Sequence, residues 1–200
     1  MDLDPKDLVD RAAEARQEAS AARLNAAVAV TVAVLATFMG ICKVKDDNIV
    51  QAMQQAQADK LDYWAYFQSR TIRADVAEAS ATQLELAKAG APAAQAAEYD
   101  KAIASYRAKA ADQMKKRDEL KAQAEAAQQT YDSLNYRDDQ FDLSDALLAI
   151  AIALLAVTAL TKLWPLFFVS LVPTFFGVLM GAAGLAALRI HPDALIRLLS

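Results

Sequence analysis

In this chain of 200 residues, apolar side chains make up 56% and charged ones 23%, a larger apolar share than soluble proteins usually carry. The charge is segregated: residues 43–145 hold 32 of the 46 charged residues, while 24–42, 146–161 and 163–188 hold none. This distribution argues against a soluble enzyme built on one core, a net charge of −4 announces no basic face for nucleic acid, and a single cysteine excludes an intrachain disulfide or a cysteine-based zinc cage.

Residues 1–23 read as an amphipathic helix. Asp4 is placed to cap it, Pro5 to occupy its first position and Asp7 to pair with Arg11 four residues on. With little beyond Leu8, Val9 and alanines to bury, this helix is expected to extend the one that follows.

The 19 uncharged residues 24–42 match the roughly 20 that a helix needs to cross about 30 Å of hydrocarbon. We read them as the first transmembrane helix rather than a cleaved signal peptide. Six acids precede them (Asp2, Asp4, Asp7, Asp10, Glu14 and Glu18), and no small-x-small cleavage site follows. Ile41 stands where a lipoprotein would place a small residue, so Cys42 is expected to be a lipid-facing or packed thiol.

Residues 43–142 read as an extramembrane helical hairpin. Ala, Gln, Lys, Glu and Leu dominate them, all strong helix formers, and the break comes at 89–92, Ala89-Gly90-Ala91-Pro92. Glycine there suits a left-handed helix end and proline the first turn of the next helix. The second arm keeps a 3,4 spacing through Ile103, Tyr106, Ala110, Gln113, Arg117, Leu120, Ala124, Ala127, Tyr131 and Leu134, which predicts an antiparallel coiled-coil seam. The first arm offers Ile49, Met53, Ala56, Trp64, Phe67, Ile72, Val76, Ala79, Gln83 and Leu86. Seams so rich in alanine bury little area per residue, so further copies of the chain are expected to join them in a homo-oligomer.

Four aromatics crowd five residues, Tyr63, Trp64, Tyr66 and Phe67. They serve as hairpin core or as a docking patch for a protein partner, since Tyr63 and Tyr66 cannot both share the face of Trp64 and Phe67. If the arms pair residues whose numbers total about 181, Arg117 faces Trp64, and its guanidinium would lie over the indole.

At the foot of the hairpin Asp46 and Asp47 meet Asp138, Asp139, Asp142 and Asp145. The plain reading places Asp142 or Asp145 at a helix start, where the dipole favours a carboxylate; the alternative is a divalent-cation site between chains.

Residues 143–161 and 166–188 read as the second and third transmembrane helices, joined by a turn at Lys162, Trp164 and Pro165, with Pro173 a kink in the third. Gly177, Gly181 and Gly184 form a small-residue row for membrane helix packing, and Ala29, Ala33, Ala36 and Gly40 offer a similar stripe on the first span. Basic residues flanking the spans are balanced between the two sides, so charge alone does not orient the chain. Residues 189–200 form a C-terminal tail in which His191-Pro192-Asp193 reads as a turn.

The string Trp64-Ala65-Tyr66-Phe67-Gln68-Ser69-Arg70-Thr71-Ile72-Arg73 and the run Asp142-Leu143-Ser144-Asp145-Ala146-Leu147-Leu148-Ala149-Ile150-Ala151-Ile152-Ala153-Leu154-Leu155 resemble the bacterial membrane proteins carrying domain of unknown function 4337. The layout of one span, a charged helical segment and a closing pair of spans is similar as well, over roughly residues 5–188. The resemblance implies a multi-pass protein of the bacterial inner membrane. Family members often carry basic residues in the last turn, which would place that turn and the N-terminus in the cytoplasm and the hairpin in the periplasm. Here that turn carries only Lys162.

Catalytic chemistry finds no footing. There is one histidine, no glycine-rich phosphate loop, no His-Glu-x-x-His and no calcium loop. No ionisable residue falls within a span, as an ion-coupled transporter usually requires. The sequence therefore reads as all-α and non-enzymatic, without cofactor or metal. Its expected role is that of a self-associating scaffold or accessory subunit in contact with membrane lipid. The alternative is an oligomeric channel or an auxiliary subunit of a transport complex.

Overall fold

The computed structural model describes residues 5–188, with side chains from Leu8 onward. The capping by Asp4, the Asp7–Arg11 pair, the tail 189–200 and the turn at His191 lie outside the described residues.

Among the described residues every regular element is helical: α1 (Pro5–Ala89), a 3-10 turn (Ala93–Gln95), α2 (Ala96–Thr161) and α3 (Trp164–Leu185). The three α-helices are each long and apolar enough over part of their length to cross a membrane. Two compact units divide the chain. One comprises residues 1–50 with 135–200, the other residues 51–134.

In the first unit Leu24, Val28 and Leu35 of α1 close on Leu148, Ala151 and Leu155 of α2, with Phe38, Trp164, Phe167 and Val178 packed against them. Several hydroxyl groups in the spans are satisfied within their own helices: Thr31 Oγ1 donates to Ala27 O, Thr158 Oγ1 to Leu154 O and Ser170 Oγ to Phe167 O. Such local bonds let a polar side chain sit where water is absent. Helix α3 continues through Pro173. It begins at Trp164, two residues before the expected start, because Pro165 fits the first turn, where a missing N–H costs nothing.

Helix α2 is unbroken from Ala96 to Thr161. Asp142 and Asp145 are therefore interior helical residues, and the expectation that either meets the positive end of a helix dipole fails.

In the second unit, contacts between the arms pair ever lower numbers on α1 with ever higher numbers on α2. Lys88 bonds Asp100 and Glu85 accepts from Arg107. Arg70 Nη1 donates to Gln113 Oε1 at 2.9 Å, and Lys60 Nζ to Gln128 Oε1 at 2.6 Å. The arms are thus antiparallel. Every position of the second-arm 3,4 series, from Ile103 to Leu134, is buried or half-buried.

The first arm departs from expectation beyond Phe67. Its covered face runs through Arg70, Ala74, Ala77, Ala81 and Leu84, whereas Ile72, Val76, Ala79, Gln83 and Leu86 are exposed. The larger apolar residues drew the sequence reading, but a close approach of helices favours the face of alanines.

The turn also differs. Gly90 does not adopt positive φ; its N–H and that of Ala91 bond back to Ala87 and Lys88, and the chain leaves the helix through a tightened last turn. Pro92 stands in extended conformation ahead of the 3-10 turn rather than within the first turn of α2.

Candidate functional site

Three constellations were singled out by the sequence: the aromatic cluster, the glycine row and the acidic foot. The first belongs to the second unit, the other two to the first.

Trp64 meets Phe67 edge to face, with ring centroids 5.2 Å apart and planes at 73°, the geometry that aromatic quadrupoles favour. Arg117 lies over Phe67, its Cζ 5.9 Å from the ring centroid, and also bonds the Asp118 carboxylate through Nε and Nη2. The expected partner was Trp64. The observed one lies three residues further along α1, nearly one helical turn, because the register follows the alanines and the Arg70–Gln113 bond. Tyr63 is half-buried and Tyr66 is 60% exposed, so the cluster divides between a covered and an open side.

The glycine row faces neighbouring helices of the same chain. A Cβ on Gly177 would lie 2.8 Å from the Leu148 side chain, one on Gly181 2.7 Å from Phe38 Cε1 and from Ser144 Oγ, and one on Gly184 2.9 Å from Phe141 Cζ. Ser144 Oγ donates to Gly177 O at 2.8 Å, a hydrogen bond between α2 and α3. The stripe on the first span behaves differently. Ala29, Ala33, Ala36 and Gly40 are exposed, and nothing lies within 4 Å of a Cβ built on Gly40.

The end of α3 shows what the sequence reading missed. Ala187 takes φ 53° while Leu188 N–H reaches Ala183 O and Ala187 N–H reaches Gly184 O, the double closure of a Schellman end. Arg137 of α2 donates to Gly184 O through Nε and Nη2, and Gln140 Nε2 donates to Leu188 O at 2.8 Å. A guanidinium at a helix C-terminus meets both the orphan carbonyls and the negative end of the dipole. No local motif could reveal this pairing, since the partners stand 47 residues apart.

The acidic foot surrounds a cavity of about 30 Å³ lined by Cys42, Lys43, Asp46, Asp142, Ser144 and Asp145, among others. Asp46 is only 5% exposed. Its Oδ2 accepts from Lys43 Nζ at 2.8 Å, and no N–H or hydroxyl donor among the described residues reaches its Oδ1. Lys43 also approaches Asp47 Oδ1 at 3.4 Å, and these two carboxylates hold its ammonium in the charged form to higher pH than usual. Burial pushes Asp138 up to about 6, helped by its hydrogen bond with Asp46 and by the charges of Asp142, Asp46 and Asp139. Asp142 is raised too, by burial first and then by Asp46 and Asp139. Among the described residues no three acids, histidines or cysteines converge as a metal ion would need.

A family model described as Domain of unknown function (DUF4337) matches residues 24–187. No curated protein and no solved structure matches the chain.

Proposed function

Since the chain belongs to the family of domain of unknown function 4337, we propose that it serves as a non-enzymatic, self-associating scaffold or accessory subunit of a membrane assembly. The observation that carries this reading is the exposed apolar series on the first arm. Ile72 is 62% exposed, Val76 61% and Leu86 73%, and with Ala79 and Gln83 they repeat at 3 and 4 residues. A helix with one such series covered by its own chain and another left open is built to pack against a further helix. The exposed row Ala29, Ala33, Ala36 and Gly40 supports the same reading within the spans, where small residues allow close approach.

In this reading the occupant of the open series is a second copy of the chain, forming a coiled coil beyond the hairpin's own. Tyr66 and its neighbours supply a site for a partner protein. The assembly resides in a bacterial inner membrane, with the N-terminus and the Lys162 turn cytoplasmic and the arms periplasmic.

The test is the mass of the intact assembly after purification of the full chain in mild detergent. A multiple of the chain mass that falls to a single copy in the Ile72→Lys, Val76→Lys double variant is the expected result. A single-copy mass in the unmodified protein, with nothing co-purifying, would remove the proposal. Conductance in liposomes would replace it with the channel reading.

A further inference from the structure

The acidic foot contains an arrangement that the scaffold reading does not use. Asp46 on α1 is buried, and no N–H or hydroxyl donor among the described residues reaches its Oδ1, while the Asp138 side chain of α2 lies within hydrogen-bonding reach of the Asp46 side chain. Two ionised carboxylates are acceptors only. Facing each other, they repel and leave a buried acceptor unpaired, a costly combination. One proton reverses both: a protonated carboxyl donates to its ionised neighbour, and a short charge-assisted hydrogen bond replaces the repulsion. We propose that Asp46 and Asp138 form a proton-binding site, in which one proton drawn from solvent is held between the two carboxyl groups and fastens α1 to α2 at the border of the spans.

The surroundings support uptake of a proton rather than a metal ion. Asp139 and Asp142 on the same helix add negative charge, with Asp145 beside Asp142, while Lys43 and Asp47 stand on α1. The Lys43 ammonium is engaged by Asp46 Oδ2 and Asp47, so it does not supply the missing donor to Oδ1. Arg137 is turned to the end of α3, and α3 itself carries no charged residue. No group of three ligands converges for a metal among the described residues.

The sign of the pH dependence follows. A carboxyl whose value is raised in the folded protein binds its proton more tightly there than when unfolded. Its stabilisation is full below the ordinary value of 3.8 and is lost as the pH climbs through about 6. Loss of the proton leaves adjacent carboxylates and loosens the contact between α1 and α2.

The experiment uses the full chain in detergent micelles, with two readouts. Infrared absorption of the protonated carboxyl group is expected to fade with a midpoint near 6 in the unmodified protein and to be absent in Asp138→Asn. The melting temperature is expected to fall by about 3–5 °C between about pH 5 and about pH 7.5. In Asp138→Asn, whose amide donates to Asp46 at any pH, it should stay level over this range and near the acid value of the unmodified protein. Should Asp138→Ala fail to fold, the near-isosteric amide variant still decides. A melting temperature that is flat with pH in the unmodified protein, or an unaltered slope in Asp138→Asn, would overturn the proposal. So would stabilisation by calcium or sodium chloride with no protonated carboxyl band.

Discussion

The membrane unit and the unit of residues 51–134 both join α1 to α2, yet they use different side chains to do so. In the first, glycines receive larger side chains, as where Gly177 receives Leu148 and Gly181 receives Phe38; several polar contacts between helices, such as Ser144 to Gly177 O and Arg137 to Gly184 O, go to backbone carbonyls. In the second, buried alanines line both arms and long side chains bridge the seam from the edges, as Lys60 to Gln128 and Arg70 to Gln113 do. The difference follows from the solvent. Lipid supplies little hydrophobic drive between helices, so shape and satisfied backbone must hold them. Water drives apolar burial but weakens exposed ionic bridges, so the seam counts for more than its rim.

The contrast makes four expectations. The largest effect belongs to Gly181→Ala, whose Cβ would stand 2.7 Å from Phe38 and Ser144. It should lower stability to detergent-induced unfolding by about 2–3 kcal/mol, whereas Gly40→Ala, with open space around it, should leave stability unchanged or raise it by at most about 1 kcal/mol. Equal losses in the two would erase the claim that shape governs the spans.

Next comes Ala81→Leu in the seam, where the alanine is fully buried. Overpacking there should cost about 2 kcal/mol in thermal unfolding, against little change for Leu61→Ala, an exposed position outside the open series. Arg137→Ala should follow at about 1.5 kcal/mol, the worth of a charged hydrogen bond to the end of α3, read as faster hydrogen exchange at that helix end. The smallest is Arg117→Ala, about 0.5–1 kcal/mol. A double-mutant cycle should show coupling with Phe67→Ala and near-additivity with Trp64→Ala; coupling to Trp64 instead would restore the register expected from sequence.

The spans were legible because absence of charge is a coarse signal that lipid enforces residue by residue, and 24–42 could be read almost by inspection. The second-arm seam was legible because Ile103, Tyr106, Leu120 and Leu134 keep their spacing among polar neighbours. The first-arm seam was not. Periodicity weighs large apolar residues, and Ile72, Val76 and Leu86 outweighed Ala74, Ala77 and Ala81, although the smaller set lets the helices approach. The acidic foot was visible as a list of aspartates, but the burial that hides Asp46 and raises Asp138 and Asp142 comes from helix packing that spacing alone does not give. Continuity of α2 past Asp142 and Asp145 escaped the reading as well, since a change of composition at the membrane border looks like a boundary even where the backbone continues.

The turn between α2 and α3 closes on Lys162, a residue with a β-carbon held at φ 56°, its N–H bonded to Thr158 O at 2.8 Å. Glycine would bend there with about 1 kcal/mol less strain, but it would remove the sole charge between residues 146 and 188. Drawing that ammonium through hydrocarbon costs about 3 kcal/mol or more. The side chain that makes the corner awkward is thus also the one that would hold the bend at the water-facing surface of a bilayer, where its ammonium keeps its hydration.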